Sequence, residues 1–458
     1  MSIIIGGSLL SCNGTPEESN RARMDKNEII GQANPVIENG IMTPEVLHSF
    51  GRVGSFEVSP DKTSLLYQVT YVSIPQNKSN SELFIMKSDG SEKRRLTVTN
   101  ISESNPHWIN KGKKIAFLGS ETGSSQIWSM NPDGGGMTKL SDVDGDIEGF
   151  KFSPDETKVL FIKSVKSVDT ASDRYSDLQK ASGRVVDDLM YKHWDHWVES
   201  VPHPFVADVS GNKLTNIKDL LEGEPYEAPL APFGGIEQLA WSPDSKIVAY
   251  TSKKKTGREY AESTNSDIYF YNLESGEVKN MTEGMMGYDI NPTFSPDGTM
   301  LAWQSMERDG YEADKNRLFV MNLATGEKTD LTENFDNNCD TYIWGEDNST
   351  IYMVSSVNGT SQIYSVTLAT KEIKALTEGK HNYLSIALGA DGIIASRQSM
   401  SQPTEIYSVN LNTGESTNIT EENKHILDQL QMGEVEERWI ETTDGKQMLT
   451  WVVYPPNF

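Results

Sequence analysis

Cysteine, long apolar runs and basic residues are all scarce in this chain. Two cysteines among 458 residues exclude a disulfide framework. No segment is apolar for long enough to cross a bilayer as a helix, which excludes a polytopic membrane protein. Lysine and arginine number 41 against 66 aspartates and glutamates, a formal net charge of −25. Because such a surface repels nucleic-acid phosphates, we expect no nucleic-acid partner, whereas cationic ligands and free amino termini are attracted.

A serine nucleophile elbow is also missing. Serine hydrolases of the α/β type present their nucleophile in the motif Gly-x-Ser-x-Gly, and no window of this sequence matches it. The seven histidines lie in repeats, loops or flanks, without an order that resembles a Ser, Asp, His triad. We therefore predict no catalytic residue in these 458 residues, and nothing in the sequence requires a cofactor.

What the chain does have is a repeated unit, with a spacing of about 45 to 50 residues. Each copy contains an apolar stretch, a Ser-Pro-Asp turn and a second apolar stretch. Copies that match this pattern clearly span 56–67, 150–161, 239–250 and 292–303. More divergent copies span 108–117, 342–352 and 386–395. Proline presets φ for the second position of such a turn, and the aspartate accepts hydrogen bonds from amides just ahead. Because one copy is too small to bury its own apolar face, neighbouring copies must stack.

A second signature lies downstream of most of these turns. It joins a polar residue to Ile or Leu and an aromatic, as in Glu82-Leu83-Phe84, and leads through a hairpin turn to a strand ending in Leu-Thr or a close relative. Four strands per copy is the number in a propeller blade. We therefore predict an all-β fold, a seven-bladed β-propeller of four-stranded antiparallel blades at 43–425, whose buried aromatics pack between blades and take no part in catalysis.

The first residues form a separate region. A brief apolar run ends in Leu-Leu-Ser-Cys at Cys12, an order that resembles a bacterial lipoprotein signal although no basic residues precede the run. We expect 1–12 to be this signal, Cys12 to carry the lipid and 13–42 to be a linker; a cleaved or disordered leader is the alternative. The expected location is the bacterial cell envelope, periplasmic or lipid-anchored, with membrane contact only through the anchor.

The repeat spacing nearly doubles at one place, because of an insertion at 165–200. Insertions in repeat proteins map to loops on one face, often the binding face. The insertion is rich in charge and contains two tryptophans close together. We expect it to gate access to a ligand through His193, Trp194, Asp195 and Trp197.

A metal site is the alternative function for this insertion. Imidazoles and carboxylates at short spacing can converge on one ion, and His193, Asp195, His196 and His203 are such a set. No established ligand spacing is met, however, and the neighbouring tryptophans indicate packing. We therefore predict no metal.

A second charged stretch, 253–262, interrupts the fourth copy. One interpretation is a solvated hairpin between strands. The other is that Arg258, Glu259 or Glu262 reaches towards a ligand held above the propeller.

After the last copy the composition changes. Residues 433–458 contain a strand, an Asp-Gly turn at Asp444-Gly445, a second strand and a Pro-Pro exit, a hairpin that belongs to no blade. This hairpin resembles the beginning of the α/β-hydrolase domain in the prolyl oligopeptidase family of serine peptidases. The blade motifs, the insertion with its His-Trp-Asp, and residues 263–267 resemble the acylaminoacyl-peptidase-like branch of that family, over about residues 43 to 458.

The resemblance implies a propeller that covers a separate catalytic domain. In that family the catalytic triad belongs to the hydrolase domain, so 426–458 would be only the start of a truncated domain and the chain as printed would be inactive. The expected function is the propeller part of a serine exopeptidase that removes dipeptides or similar short units. The expected partners are a peptide substrate and the chain's own hydrolase domain, and a homodimer of the intact protein is compatible with the resemblance.

Carboxylates are the expected substrate ligands in this comparison. In the dipeptidyl-cleaving members of the family, propeller carboxylates bind the free amino terminus of the substrate through charge-assisted hydrogen bonds. Glu199, Glu259 and Glu262 are our candidates because they lie in the two insertions. A non-catalytic, TolB-like propeller that binds a protein or peptide in the envelope is the alternative function.

Overall fold

The Ser-Pro-Asp segments form tight turns in the computed structural model, which describes residues 29–458. In the first turn the Ser59 hydroxyl donates to Asp61 at 2.6 Å, and the Thr63 amide donates to the same carboxylate at 3.1 Å. The Ser59 oxygen in turn accepts from the amide of Ser64 at 3.0 Å. The turns at 153–158, 242–247 and 295–300 repeat these contacts. The predicted role of the aspartate is therefore confirmed, and its hydrogen bonds lower the pKa of Asp61.

Strands on either side of these turns form four-stranded antiparallel groups, numbered in chain order. Group 1 contains β1 (Arg52–Val58), β2 (Ser64–Ser73), β3 (Lys78–Lys87) and β4 (Arg94–Arg95). Group 2 contains β5 (Glu103–Ile109), β6 (Lys114–Gly119), β7 (Gln126–Met130) and β8 (Thr138–Lys139). Group 3 contains β9 (Ile147–Phe152) and β10 (Lys158–Lys166), then, after a small hairpin of β11 (Lys192–His193) and β12 (His196–Trp197), β13 (Ser200–Ser210) and β14 (Lys213–Asp219).

The remaining groups follow without interruption of their strand order. Group 4 contains β15 (Leu239–Trp241), β16 (Ile247–Ser252), β17 (Asp267–Asn272) and β18 (Val278–Asn280). Group 5 contains β19 (Asp289–Phe294), β20 (Met300–Ser305), β21 (Arg317–Asn322) and β22 (Lys328–Asp330). Group 6 contains β23 (Thr341–Trp344), β24 (Thr350–Val357), β25 (Thr360–Thr367) and β26 (Glu372–Ala375). Group 7 contains β27 (Asn382–Leu388), β28 (Ile393–Ser399), β29 (Gln402–Val409) and β30 (Ser416–Asn418), and one parallel pairing, Ser361 with Asn382, joins it to group 6.

Helices are short and lie in connections. They are α1 (Pro44–Ser49), α2 (Ala171–Arg174), α3 (Gly257–Glu262) and α4 (Lys424–Leu427), with 3-10 turns at Glu38–Gly40 and Ile236–Gln238. Over residues 29–458 none of them has the length and apolar character of a membrane-crossing helix. The fold is therefore all-β, as predicted, although the stretch 253–262 contains α3 and not the solvated hairpin.

The polar residue of the second signature is explained by a threonine or serine that lies just after the fourth strand of the group. In group 6 the Thr377 hydroxyl oxygen accepts from the amide of Ile363 at 2.9 Å, and the same hydroxyl donates to Gln362 at 2.8 Å. Equivalent amide contacts recur at Thr97, Ser141, Thr282, Thr332 and Thr420. The Leu-Thr ending thus ties the fourth strand to the third in each of these six groups.

The core lies between neighbouring groups. Phe161 of group 3 packs in one cluster with Ile127 of group 2, and Tyr250 of group 4 packs with Leu160 of group 3. Trp303, Tyr67 and Tyr250 are among the largest fully buried side chains. The packing role predicted for the aromatics is consistent with these positions.

Turns of successive groups also contact one another. The Asp155 amide of group 3 donates to Ser245 of group 4 at 3.2 Å, and the Asp297 amide of group 5 donates to Asn348 of group 6 at 3.0 Å. The turn of group 7 is shorter, and Lys62 of group 1 forms an ion pair with Glu346 of group 6.

The segments that precede group 1 and follow group 7 meet beside group 1. The buried amide of Asn423 accepts from the Gly51 backbone N–H at 2.8 Å and donates to the Gly51 carbonyl at 2.8 Å. Val46 and Phe50 pack with Ile426 in a small apolar cluster. The part of the predicted linker that is described, 29–42, also bonds to 422–431, for example through Gln32 and Glu422 at 3.0 Å.

The predicted terminal hairpin is present as β31 (Val435–Glu441) and β32 (Gln447–Val453), and among residues 29–458 these two strands pair only with each other. Most of its side chains are exposed. Leu449 and Trp451 of this hairpin lie beside Gly359 in the turn between β24 and β25 of group 6.

Candidate functional site

The connections between second and third strands of the groups lie at one edge, because strands alternate in direction along each group. The insertion makes this connection between β10 and β13, and α3 makes it between β16 and β17. Together with residues 225–227 they enclose a cavity of about 290 Å³. The two sequence departures predicted to face a ligand therefore meet at one site.

A buried carboxylate, Glu227, forms part of the cavity wall. It is 5% exposed, and it accepts a hydrogen bond from the hydroxyl of Tyr260 on α3. Burial raises the pKa of Glu227 to about 7, against the opposing effects of the Tyr260 hydrogen bond and the nearby Lys253 charge. A carboxylate in this setting is one that a cationic ligand group would stabilise.

Lys253 supports this wall from behind. Its ammonium lies 3.5 Å from the centroid of the Tyr260 ring and donates to the carbonyls of Tyr260 at 3.0 Å and Ser263 at 2.9 Å. Burial lowers the pKa of Lys253. The lysine thus holds α3 in place and leaves the carboxylate of Glu227 facing the cavity.

The insertion forms the opposite wall. Arg184 pairs with Glu199 at 2.8 Å and lies 4.2 Å above the Trp197 ring. The His193 ring stacks on Tyr260 at 5.9 Å between centroids, and burial, with the Lys253 charge, lowers the pKa of His193. Because the Arg184–Glu199 pair lies within the insertion and is partly exposed, it contributes at most about 1 kcal/mol to the order of this segment.

The structure brings some of the predicted site residues together and separates others. Glu199, His193 and Trp197 line the cavity. Trp194 and Asp195 form the turn between β11 and β12, where Trp194 is 74% exposed and adopts a positive φ of 50°.

The two predicted carboxylates of α3 lie outside the cavity lining. Glu259 is exposed, and Glu262 pairs with Arg258 at 2.7 Å. The three predicted carboxylates therefore do not converge. Sequence reasoning missed Glu227, which belongs to no repeat motif and to neither insertion, so no local signal distinguishes it from other acidic residues.

The histidines of the metal alternative are also separated. His193 and His196 face each other across the β11–β12 pair, whereas His203 is buried on β13 beside Asp219 at 2.9 Å. Within residues 29–458 no three His, Cys, Asp or Glu side chains are grouped as metal ligands. The predicted lipidation residue, Cys12, lies outside the described residues.

Four-stranded groups with Ser-Pro-Asp turns define a protein of the TolB propeller type. A family model described as the TolB beta propeller domain matches residues 237–427. The more particular resemblance comes from whole-chain comparisons with curated proteins and solved structures.

Two curated relatives are bacterial dipeptidyl-peptidases 5. The chain is 48% identical over 417 residues to dipeptidyl-peptidase 5 of Porphyromonas gingivalis and 45% identical over 421 residues to that of Porphyromonas endodontalis. These matches cover 91% and 92% of this chain and 61% of each relative. The chain thus spans about three fifths of the length of these relatives.

Solved structures extend the likeness at the level of the fold. An acylaminoacyl peptidase of Pyrococcus horikoshii superposes with a TM-score of 0.68 at 18% identity, covering 89% of this chain and 59% of its own. The propeller domain of a trilobed protease from Pyrococcus furiosus, with an open velcro topology, gives 0.56 at 16% identity and covers 83% and 98%. The predicted resemblance is confirmed: the chain is similar in sequence to bacterial dipeptidyl-peptidases 5 and similar in fold to an acylaminoacyl peptidase.

Proposed function

We propose that this chain is the propeller part of a serine exopeptidase that removes dipeptides or similar short units from peptides. The observation that carries the proposal is the cavity with Glu227 in its wall, found in a homologue of proteins named dipeptidyl-peptidase 5. A carboxylate that is both buried and adjacent to a cavity favours a charged ligand group over water. The free amino terminus of a peptide is that group.

Glu227 and Glu199 are the two carboxylates that we assign to the amino terminus. They line the same cavity from opposite sides, one on the propeller and one on the insertion. Fixing the amino terminus at a set distance from the reacting bond determines how many residues are released. Glu259 and Glu262 are left as rim carboxylates that attract the peptide from a distance.

The insertion acts as a gate in this proposal. His193 and Trp197 form its inner surface, and Trp194 and Asp195 form its exposed tip. It contacts α3 through the stacking of His193 on Tyr260, and its internal Arg184–Glu199 pair is partly exposed, so little energy opposes opening for the ligand.

We propose further that the groups form a closed ring of seven blades. Ile394, Ile406 and Ile419 of group 7 and its flank pack in one cluster with Val53 and Tyr67 of group 1. The Asn423–Gly51 contacts join the flanks of the same two groups, and the Lys62–Glu346 pair joins group 1 to group 6. These contacts support closure without a strand shared between the first and last groups.

Catalysis belongs, in this proposal, to an α/β-hydrolase domain of which 426–458 are the first part. The solitary β31–β32 hairpin supports this assignment, since an isolated hairpin is marginal in water and requires a partner sheet. A lipid at Cys12, a location in the bacterial envelope and a homodimer of the intact protein complete the proposal.

Calorimetry of the 458-residue chain tests the substrate assignment. We expect Ala-Ala amide to bind and its N-acetylated form to bind at least tenfold more weakly, because acetylation removes the ammonium. Glu227→Gln is expected to lose this discrimination, whereas the matched variant Glu262→Gln keeps it. Equal affinity for both peptides would contradict the assignment.

Active-site labelling tests the assignment of the triad. We expect a serine-reactive phosphonate to leave the 458-residue chain unlabelled and dipeptidyl chromogenic substrates to stay intact. A labelled serine would place the catalytic machinery in the propeller part.

A further inference from the structure

The cavity wall supplied by the insertion is largely apolar. Val185, Val186 and Leu189 line it, together with the aromatic rings of Tyr191 and Trp197. These side chains are 41%, 46%, 50%, 46% and 41% exposed, respectively. Five large apolar side chains half exposed around one concavity form a contiguous apolar surface of the kind that marks a ligand site.

The insertion has little core of its own to explain this arrangement. Between β10 and β13 its regular structure is confined to α2 and the two-residue strands β11 and β12. Three ion pairs hold it, Lys166 with Asp173, Arg174 with Asp187 and Arg184 with Glu199, and all six side chains are more than a third exposed. Such pairs contribute little, so the segment lacks the apolar burial that normally fixes a loop of this length.

The opposite wall combines two aromatic rings with a carboxylate. Tyr226 and Tyr260 present aromatic surface beside Glu227. A ligand that places an ammonium at Glu227 and an apolar group against Leu189 would match both walls at once. In a peptide, the amino-terminal residue is the one residue that carries an α-ammonium and a side chain on the same Cα.

We infer that this cavity selects peptides whose amino-terminal residue has a large apolar side chain, and that this side chain completes the core on which the insertion closes. The inference rests on the proposed function, because it assumes that the ligand is a peptide with a free amino terminus. Asp188 lines the same wall and disfavours an acidic side chain there through like-charge repulsion, whereas Asp187 and Glu199 are offset by their arginine partners.

Specificity follows from the area that each side chain buries. Moving a large apolar side chain from water into a matching pocket raises the binding affinity roughly tenfold or more. A polar side chain of smaller size gains nothing against the same wall, and an acidic one is in addition repelled by the carboxylate of Asp188. We therefore expect the order of affinity to be apolar, then small polar, then acidic.

The experiment measures affinity and exchange on the full 458-residue chain with three probes, Phe-Ala amide, Ser-Ala amide and Asp-Ala amide. We expect calorimetry to rank them in that order, with about tenfold between the first two. Hydrogen exchange should slow in 168–198 with the phenylalanyl probe only. Leu189→Ser should reduce the Phe-to-Ser preference several-fold.

Leu178→Ser is the matched control, because Leu178 is also 50% exposed in the insertion but does not line the cavity. An unchanged preference in Leu189→Ser and in a second variant, Val186→Ser, would overturn the inference. Equal affinities for Phe-Ala and Ser-Ala amides that still depend on the free amine would overturn it and leave the proposed function intact. If no peptide binds at all, the proposed function fails as well.

Discussion

At the scale of single residues, the repeated polar positions serve the fold. Gln362 precedes Ile363 in the second signature, and its side chain accepts from the hydroxyl of Thr377 instead of facing a ligand. The hydroxyl of Thr377 also accepts from the Ile363 amide. One threonine thus satisfies a buried backbone N–H that the short fourth strand leaves without a partner.

Thr377→Val should therefore destabilise the protein. Valine keeps the shape but leaves the buried Ile363 N–H and the Gln362 carbonyl oxygen without partners, at a cost of about 1–3 kcal/mol. Urea unfolding followed by circular dichroism measures the change. Thr417→Val, at an exposed position on β30, is the control and should change the free energy of unfolding by less than about 0.5 kcal/mol.

Residue type alone did not identify the carboxylate of the site. Glu199 and Glu227 both line the cavity, but only Glu199 lies in a segment that departs from the repeat. Glu227 is distinguished by burial beneath α3, which depends on residues more than thirty positions away along the chain, such as Tyr260.

At the scale of elements, the terminal hairpin is confirmed and its attachment is specific. Leu449 and Trp451 of β32 approach Gly359, whose φ of 72° suits the turn between β24 and β25. Lys380 lies 5.7 Å from the Trp451 ring on the same side. The hairpin is therefore docked through one small surface while most of it is exposed.

Gly359→Ala should release this hairpin. A Cβ at position 359 would lie 2.7 Å from the Trp451 indole nitrogen, so the ring has to move away. Hydrogen exchange in 435–453 should become faster than in the parent protein. Gly326→Ala is the control, because its φ of 75° gives the same backbone strain and its Cβ would meet nothing within 4 Å. Equal effects of the two substitutions on the hairpin would show that the contact is unimportant.

The insertion was predicted as a functional element, and its position beside α3 is an observation of the structure. Both segments join a second strand to a third strand, which places them at one edge of their groups. That edge could be inferred from four-stranded periodicity. The helix at 257–262 could not be inferred, because six residues preceded by a run of lysines carry no clear periodicity.

At the scale of the whole molecule, closure between the first and last groups depends on side chains. No strand crosses between group 1 and group 7 in the described part of the chain, and Asn423 forms two hydrogen bonds to the backbone of Gly51. Glu405 accepts from the Asn423 amide N–H and side chain at 3.0 and 3.2 Å and so orients it.

Asn423→Ala should weaken the junction between groups 1 and 7 more than the contacts between other neighbouring groups. The change leaves the Gly51 N–H and C=O without partners in a buried place, which costs about 1–3 kcal/mol. Native-state hydrogen exchange should accelerate first in 52–58 and 402–409. Asn412→Ala, in an exposed turn of group 7, should leave those segments unchanged. If hydrogen exchange accelerated equally in all seven groups, the Asn423–Gly51 hydrogen bonds would not stabilise this junction locally.

Acidity should also affect the whole molecule. Burial raises the pKa of Glu103, Glu227 and Asp289 to about 7 each. A carboxyl whose pKa is higher in the folded state stabilises the fold fully below its ordinary pKa, and this stabilisation is lost as pH rises through 7. The free energy of unfolding should therefore fall between pH 5 and pH 8.

Urea titrations at several pH values measure this dependence. Asp289→Asn retains an acceptor for the Trp303 indole, which lies 2.9 Å from the carboxylate, and should flatten the profile between pH 5 and pH 8. The exposed Asp391→Asn should leave the slope unchanged. A profile that rises with pH would refute the assignment of these groups.

The sequence by itself determined the all-β character, the turn chemistry, the four-strand periodicity, the position of the insertion and the terminal hairpin. Each of these depends on contacts between residues close in the chain, such as Ser59 with Asp61 or Gln362 with Thr377. Local hydrogen bonding and apolar periodicity are encoded in neighbouring residues, so a single sequence is sufficient to predict them.

The tertiary structure alone decided which carboxylates share a site and how the segments before group 1 and after group 7 meet. Glu227 with Tyr260 and Gly51 with Asn423 are pairs that only folding brings together. Burial sets the pKa of a carboxyl such as Glu227, and distance sets the strength of hydrogen bonds such as those between Asn423 and Gly51. Both are properties of the packing and are not visible in the local sequence pattern.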